Sequence, residues 1–467
     1  MKIASIILLG IIITASVTSC KKDTFITSPN AIVALSTDTL YFDTVFTTTG
    51  SITGEFKIFN QNNQKLLLSN VQLMGGATSY FKFNLDGSPG TVFNNVTIAA
   101  NDSLYGFVIV TINPNDSLLP FIIRDSIRIV YNGDTAFLQL EAYGQNANFL
   151  RNAVITKDTA WNNKLPIVLL GGLTVNTGAT LTIQQATKVY VNAQAPITIN
   201  GTLQAFGAND SNGAVSFQCD RLDPPYNGFP GSWPGITFTS SSTNNVMQYC
   251  ILKNAYEGIA VQGPAASSPV LTLNQCILNN IYDVAIGGTN SSIAATNCLV
   301  SNCGSNVSIT SGGNYTFNQC TIASYDNSYV SHINPVVSVT NSDVNNVAYP
   351  LSCTFTNSIL YGTGNLVSNE VVFYNNTGAT FNANLVNVLY KDSTMAINPI
   401  VNVNQYCILN QLPGFNNINP VNLTFDFHLA SGSPCLNAGT ANPTVTIDLD
   451  GKPRVTQTPD LGCYQTQ

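Results

Sequence analysis

Beyond residue 150 the side chains able to do acid–base or metal chemistry are sparse. Nine basic residues lie there: Arg151, Lys157, Lys164, Lys188, Arg221, Lys253, Lys391, Lys452 and Arg454. Asp283, Asp326, Asp343, Glu370 and Asp392 stand singly, and His332 and His428 are isolated. Eliminative cleavage of a polysaccharide needs a calcium-holding carboxylate cluster and a base. Glycoside hydrolysis needs two carboxyl groups facing across a cleft. The nearest approach to a cluster is Asp220, Arg221 and Asp223, in a Pro-rich stretch read as a loop. Asp448 and Asp450 precede Gly451, but the full Asp-x-Asp-x-Asp-Gly loop and its distal Glu are missing. A turn in which Arg454 pairs with Asp448, Asp450 or Asp460 is expected there. No catalytic residue, metal site or cofactor is assigned.

Aromatic rings offer a different chemistry. Tyr226, Trp233, Tyr249, Tyr256 and Tyr282 lie among Asn and Thr residues. An exposed ring can stack on one face of a sugar while amides and hydroxyls bond its edges. Packing at the corners of repeats is the competing role for such rings. Eleven cysteines occur, none in a Cys-x-x-Cys pair and none near a histidine, which argues against zinc. Charged residues make up 9% of the 467 and the net charge is −7, so no basic surface for nucleic acid is expected.

Two kinds of β pattern must position these groups. From 31 to 147 apolar residues alternate with period two, as in Glu55–Phe59, Tyr105–Val110 and Asp125–Tyr131. Turn residues separate the runs, and Asn132-Gly133 is a hairpin signal. Short strands in this number suit an immunoglobulin-like β-sandwich. The run Phe56 to Val71 resembles the bacterial sandwich modules related to the Hydin and SPD-2 proteins, which act as spacers or interaction modules.

From 151 to 467 the pattern changes. Leu173-Thr-Val175, Leu181-Thr-Ile183, Val189-Tyr-Val191 and Ile197-Thr-Ile199 recur every eight residues. Three such triplets make a coil of about 24 residues, the build of a right-handed parallel β-helix. Later, Cys250, Cys276, Cys298 and Cys320 follow one another at 26, 22 and 22 residues, each in an Asn/Gln-rich tetrapeptide. Gln405-Tyr406-Cys407-Ile408 reads as a late copy, and Thr356-Asn357-Ser358-Ile359 as a copy with Ser in place of Cys. Cysteines stacked one coil apart sit about 4.8 Å from one another. A disulfide prefers a Cβ separation nearer ~3.8 Å, so these four are read as buried, unpaired thiols. The end of the chain, from about 425 to 467, contains Gly432-Ser433-Pro434-Cys435 and Asp460-Leu461-Gly462-Cys463-Tyr464. It resembles the closing segment of the choice-of-anchor Q proteins within the right-handed β-helix family, with Cys463 and Gln465 at the family's usual Ala and Glu. Cys435 and Cys463 flank this motif and are the candidate disulfide pair.

At the other end, Lys2 precedes an apolar run from Ile6 to Ile13 that is too short to span a bilayer. Small and polar residues lead to Cys20. This resembles a bacterial lipoprotein signal, 1–19, with Cys20 acylated and 20–30 serving as anchor and tether. Cys20-Lys21-Lys22-Asp23 is similar to the start of Bacteroidetes lipoproteins, in some of which acidic residues after the cysteine direct export to the surface. The resemblance implies an outer-membrane lipoprotein held to the cell envelope by its lipid. The leading expectation is a non-catalytic surface protein that binds glycan or a surface partner. A carbohydrate-active enzyme predicts two carboxylates in a groove or bound calcium. A structural spacer predicts no exposed aromatic row.

Overall fold

The computed structural model describes residues 24–47, 50–114, 120–210, 212–364, 366–395, 397 and 400–466. Residues 1–19, read above as a signal, and Cys20 lie outside the described residues. Among the described residues the regular structure is strand, with two short 3-10 turns and no α-helix, and loops and turns make up the rest. It divides into two compact units between Asn146 and Ala147.

The first unit has two five-stranded sheets. One orders Val33–Leu35, Gly54–Asn60, Ser103–Val110, Phe81–Leu85 and Ser88–Pro89; the other orders Thr39–Phe46, Asp134–Gln145, Phe121–Tyr131, Leu66–Leu73 and Val92–Ile98. All neighbours are antiparallel except Thr39–Phe46 beside Asp134–Gln145. Alternate residues of both sheets meet in one core, including Phe56, Ile58 and Val108 from the first and Leu68, Ile129 and Leu140 from the second. Period-two burial of this kind follows from the pleat, which sends successive side chains to opposite faces. Asn132 and Gly133 turn the hairpin with φ of 48° and 84°. The two strands of the Phe56–Val71 stretch fall in opposite sheets.

The second unit is a single 26-stranded sheet running from Asn148–Ile155 to Ile408–Leu409, with parallel register throughout. It begins at Asn148, a few residues before the expected 151. Leu173 pairs with Ile197, Leu181 with Leu203 and Val189 with Phe217. Triplets eight residues apart are therefore successive faces of a coil, and the fourth lands on the first. Cys250, Cys276, Cys298 and Cys320 are buried free thiols, as the spacing implied. The thiol of Cys276 donates to the Met247 carbonyl of the preceding coil at 3.2 Å, and Cys298 and Cys320 repeat the contact with Leu273 and Ala295. The residue before each cysteine adopts positive φ: Tyr249, Gln275, Asn297 and Gln319, continued by Asn357 before Ser358.

The segment after residue 410 folds back on the coils. The hairpin Phe415–Asn419 with Thr424–Leu429 and the closing residues cover Leu299, Tyr325, Ile359, Tyr361 and Leu389 in a second hydrophobic cluster. Side-chain amides of the positive-φ positions hold its backbone: Asn387 donates to Ala438 O, Asn357 to Thr440 O and Asn297 to Ile447 O, each at 2.7–2.8 Å. Asn209 donates to Asp450 O at 2.7 Å. The closing motif is thus a strap laid along the turns.

Cys435 and Cys463 are both buried and both free, so the candidate disulfide between them is not formed. They are engaged elsewhere: the Cys463 amide bonds Thr321 Oγ1 and the Cys435 amide bonds Ser433 Oγ. Burial pushes each thiol up to about 12. Arg454 does not pair with Asp448, Asp450 or Asp460. Its guanidinium is buried against Asn297 Oδ1 and the Gly462 carbonyl. Asp448 and Asp460 instead receive backbone amides, from Lys452 and Gln465 and from Asn437 and Thr466.

Candidate functional site

The 26-residue coil between Cys250 and Cys276 also carries the residues six and seven positions further on. It lays Tyr256 beside Tyr282 and Glu257 beside Asp283. The two rings stack at 5.2 Å with 25° between planes, and they are 51% and 54% exposed. The backbone holds them in step, since Tyr282 N bonds Ala255 O and Asp283 N bonds Tyr256 O. Glu257 is half-buried; burial, and then the charge of Asp283, raise its pKa. Asp283, read from the sequence as a single acid, is therefore one of a pair.

The Pro-rich stretch read as a loop is folded against the same face. Arg221 forks onto Asp223 at 2.7 and 2.8 Å and lies over the Tyr226 ring at 4.0 Å. Tyr226 meets Phe229 edge-on at 5.4 Å, and Phe229 meets Tyr329 at 5.5 Å. Gly231 approaches Tyr282 so closely that a Cβ there would stand 3.4 Å from the Tyr282 Cβ. A second ladder of positive-φ asparagines pins the loop: Asn254 donates to Asn227 O at 2.6 Å and Asn280 to Gly228 O at 2.7 Å. The result is a row of exposed and half-exposed rings, Tyr226, Phe229, Tyr329, Tyr282 and Tyr256. Between the loop, the asparagine turns and Phe425 of the hairpin opens a cleft of about 220 Å³.

Two of the aromatic candidates are elsewhere. Trp233 is 1% exposed, packed in the solenoid core, with its indole N–H on Lys253 O at 2.9 Å. A ring enclosed on both faces cannot serve as a stacking platform. Tyr249 is half-buried at the turn before Cys250, near enough to the strap that the Asp448 charge adds to the burial that raises its pKa.

His332 and Glu370, isolated in the sequence, meet at 3.0 Å, with Lys391 3.5 Å from the same carboxylate. Both acid and imidazole are enclosed, and Gly362 leaves no room between them, since a Cβ there would fall 2.5 Å from His332 Nε2. The acid and imidazole have no open face, Lys391 alone reaches solvent, and the network joins neighbouring coils. Among the described residues no group of three His, Cys, Asp or Glu is placed to hold a metal ion.

No protein-family model matches the chain, and no curated protein matches it. Solved structures give only partial likenesses. A family 123 glycoside hydrolase from Clostridium perfringens has a TM-score of 0.18 at 10% identity over 24% of this chain. A protein of unknown function from Porphyromonas gingivalis has 0.19 at 10% over 27%, and a Pseudomonas fluorescens alkylpurine DNA glycosylase bound to DNA has 0.16 at 11% over 25%. This chain covers 26%, 58% and 31% of those three chains, less than two thirds of each.

Proposed function

We propose that the chain is a cell-envelope lipoprotein, anchored through Cys20 in the outer membrane, whose solenoid binds glycan without cleaving it. On this reading the first unit is an immunoglobulin-like spacer. The second is a right-handed β-helix closed by a choice-of-anchor Q type segment. The observation that carries the reading is the ring row Tyr226–Phe229–Tyr329 with the Tyr256–Tyr282 stack. Flat, exposed rings beside amide side chains suit sugars, whose apolar face stacks and whose hydroxyls bond laterally. A spacer has no need of such a row. The test is retention of the purified chain on a polysaccharide panel, with product release recorded together. Retention without products, lost when Tyr256 and Tyr282 are both changed to Ala, is expected. Failure to retain any polysaccharide overturns the reading.

Glu257 beside Asp283 favours a second reading, a glycoside hydrolase. A carboxyl whose pKa is raised by burial, and then by the charge of a second acid beside it, is a feature of acid–base pairs. New reducing ends, abolished by Glu257→Gln, would replace the binding reading with this one.

A further inference from the structure

We infer that the cleft beside the aromatic row selects a sugar carrying a negative charge, a uronate carboxylate or a sulfate ester, through Lys253. The inference rests on the glycan-binding reading and adds the ligand class. Lys253 is the one charged residue lining the cleft; the other polar side chains there are asparagines and Tyr329. Among the described residues its ammonium has no ion-pair or hydrogen-bond partner, although elsewhere in the solenoid Arg221, Lys391 and Lys452 each have a carboxylate within 4 Å. Its backbone is fixed by the strand Cys250–Lys253 and by the Trp233 indole on its carbonyl, so the position of the side chain's root is set by the core.

The asparagines around it are partly engaged, and the pattern of what is left matters. Asn254 has both amide atoms occupied, by Asn227 O and by Asn280. Asn302 accepts from Tyr325 N through Oδ1, which leaves its Nδ2 as a free donor. Asn227 keeps its side-chain amide free, since its bonds are made by the backbone, the carbonyl to Asn254 and the N–H to Asp223 O. The cleft therefore offers one cation, the free N–H donors of Asn227 and Asn302, and the free amide oxygens of Asn279 and Asn280, with no carboxylate in its lining. An anionic oxygen pair satisfies the cation and the donors, in charge-assisted bonds about twice as strong as neutral ones, while the amide oxygens accept from the hydroxyls of the same sugar. At about 220 Å³ the cleft is smaller than the pockets that enclose drug-sized ligands, and it fits one charged substituent with part of its ring. Glu257 and Asp283, on the adjacent stretch of the same face, repel a charge there and so direct it toward Lys253.

The test uses the full chain with Cys20→Ala, which prevents acylation, and three polymers of matched length: polygalacturonate, its carboxyl-reduced neutral counterpart, and a sulfated galactan. At low salt at least one charged polymer should bind roughly tenfold more tightly than the neutral one. The preference should shrink with added salt, vanish in Lys253→Gln and survive in Lys253→Arg. Melting temperatures confirm that both variants fold. A preference for polygalacturonate alone identifies the carboxylate, and for the galactan alone the sulfate. Equal binding of all three polymers overturns the inference and leaves glycan binding intact. A charge preference that Lys253→Gln does not alter also overturns it. Binding of none of them, or of any polysaccharide on the wider panel, removes the underlying reading.

Discussion

Asn297 and Arg454 stand 157 positions apart, yet the arginine Nη2 lies 2.6 Å from the asparagine Oδ1 in a buried contact. The same asparagine donates to Ile447 O. One side chain in the middle of the solenoid thus accepts from a buried cation and grips the strap.

Asn297→Ala should therefore destabilise the protein by about 2–4 kcal/mol. It strips a buried charge of one of its two acceptors, the Gly462 carbonyl remaining, and leaves the Ile447 carbonyl without its side-chain donor. It also places alanine at a φ of 51°, which asparagine tolerates better. Urea unfolding measures the change, and a loss below about 0.5 kcal/mol would show that the strap is held by apolar packing instead.

His428 makes the strap sensitive to pH. Its ring bonds Asp426 Oδ1 and Asp450 Oδ2, stacks on Tyr464 at 3.9 Å, and shares Asp450 with Lys452. Burial opposes protonation, but the two carboxylates outweigh it and hold the pKa above the ordinary 6.5. The stabilisation is fully present below 6.5 and is lost as pH rises through the raised value. Burial also works against the charge of Asp426 and Asp450, but their bonds to His428 leave both pKa values below 3.8. Their share is present above 3.8 and lost as pH falls through the lowered values. Hydrogen exchange over residues 424–466 should be slowest between about pH 4 and 6.5 after correction for intrinsic rates. In His428→Gln the alkaline rise should disappear; an unchanged profile would place the sensitivity elsewhere.

The sealed network should behave as a structural one. Glu370→Ala leaves the His332 Nε2 without its partner and Lys391 without its carboxylate, though still bonded to the Gly362 and Val367 carbonyls, and about 3–5 kcal/mol should be lost. Polysaccharide retention by the protein that remains folded should be unchanged. A variant that folds as well as the parent but no longer binds would relocate the site to this network.

Thiol chemistry separates the cysteines. Nine of the ten described cysteines are buried and Cys407 is half-buried, with no disulfide among them. A thiol reagent should label Cys407 alone in the native protein with Cys20→Ala, and all ten in denaturant. Fewer than ten under denaturing, non-reducing conditions would reveal a disulfide.

The solenoid was legible because its repeats are chemical as well as numerical. Apolar triplets eight residues apart and cysteines 22 to 26 apart must coincide with coil geometry, and Leu173 on Ile197 shows that they do. The same register contained the Tyr256–Tyr282 and Glu257–Asp283 pairs, which adding 26 to each position would have revealed. His332 and Glu370 were hidden because the connections between those strands vary in length, so no fixed offset links them. Trp233 misled because a tryptophan between Ser and Pro in a Gly-rich stretch looks like a loop residue; its burial depends on the coil face that closes over it. Arg454 and the closing cysteines are placed by tertiary contacts of the strap, which leave no periodic trace.

The strap also imposes an order on the protein's history. Asn209 is tied to a residue 241 positions later, and Asn297, Asn357 and Asn387 are tied to Ile447, Thr440 and Ala438. Synthesis delivers a chain from its amino end, so every coil must stand with its flank uncovered until those residues arrive. A stack of coils otherwise frays from its exposed end. Here the late arrivals join that end to the middle, so completion of the chain converts an open stack into a closed circuit that has to come apart as one.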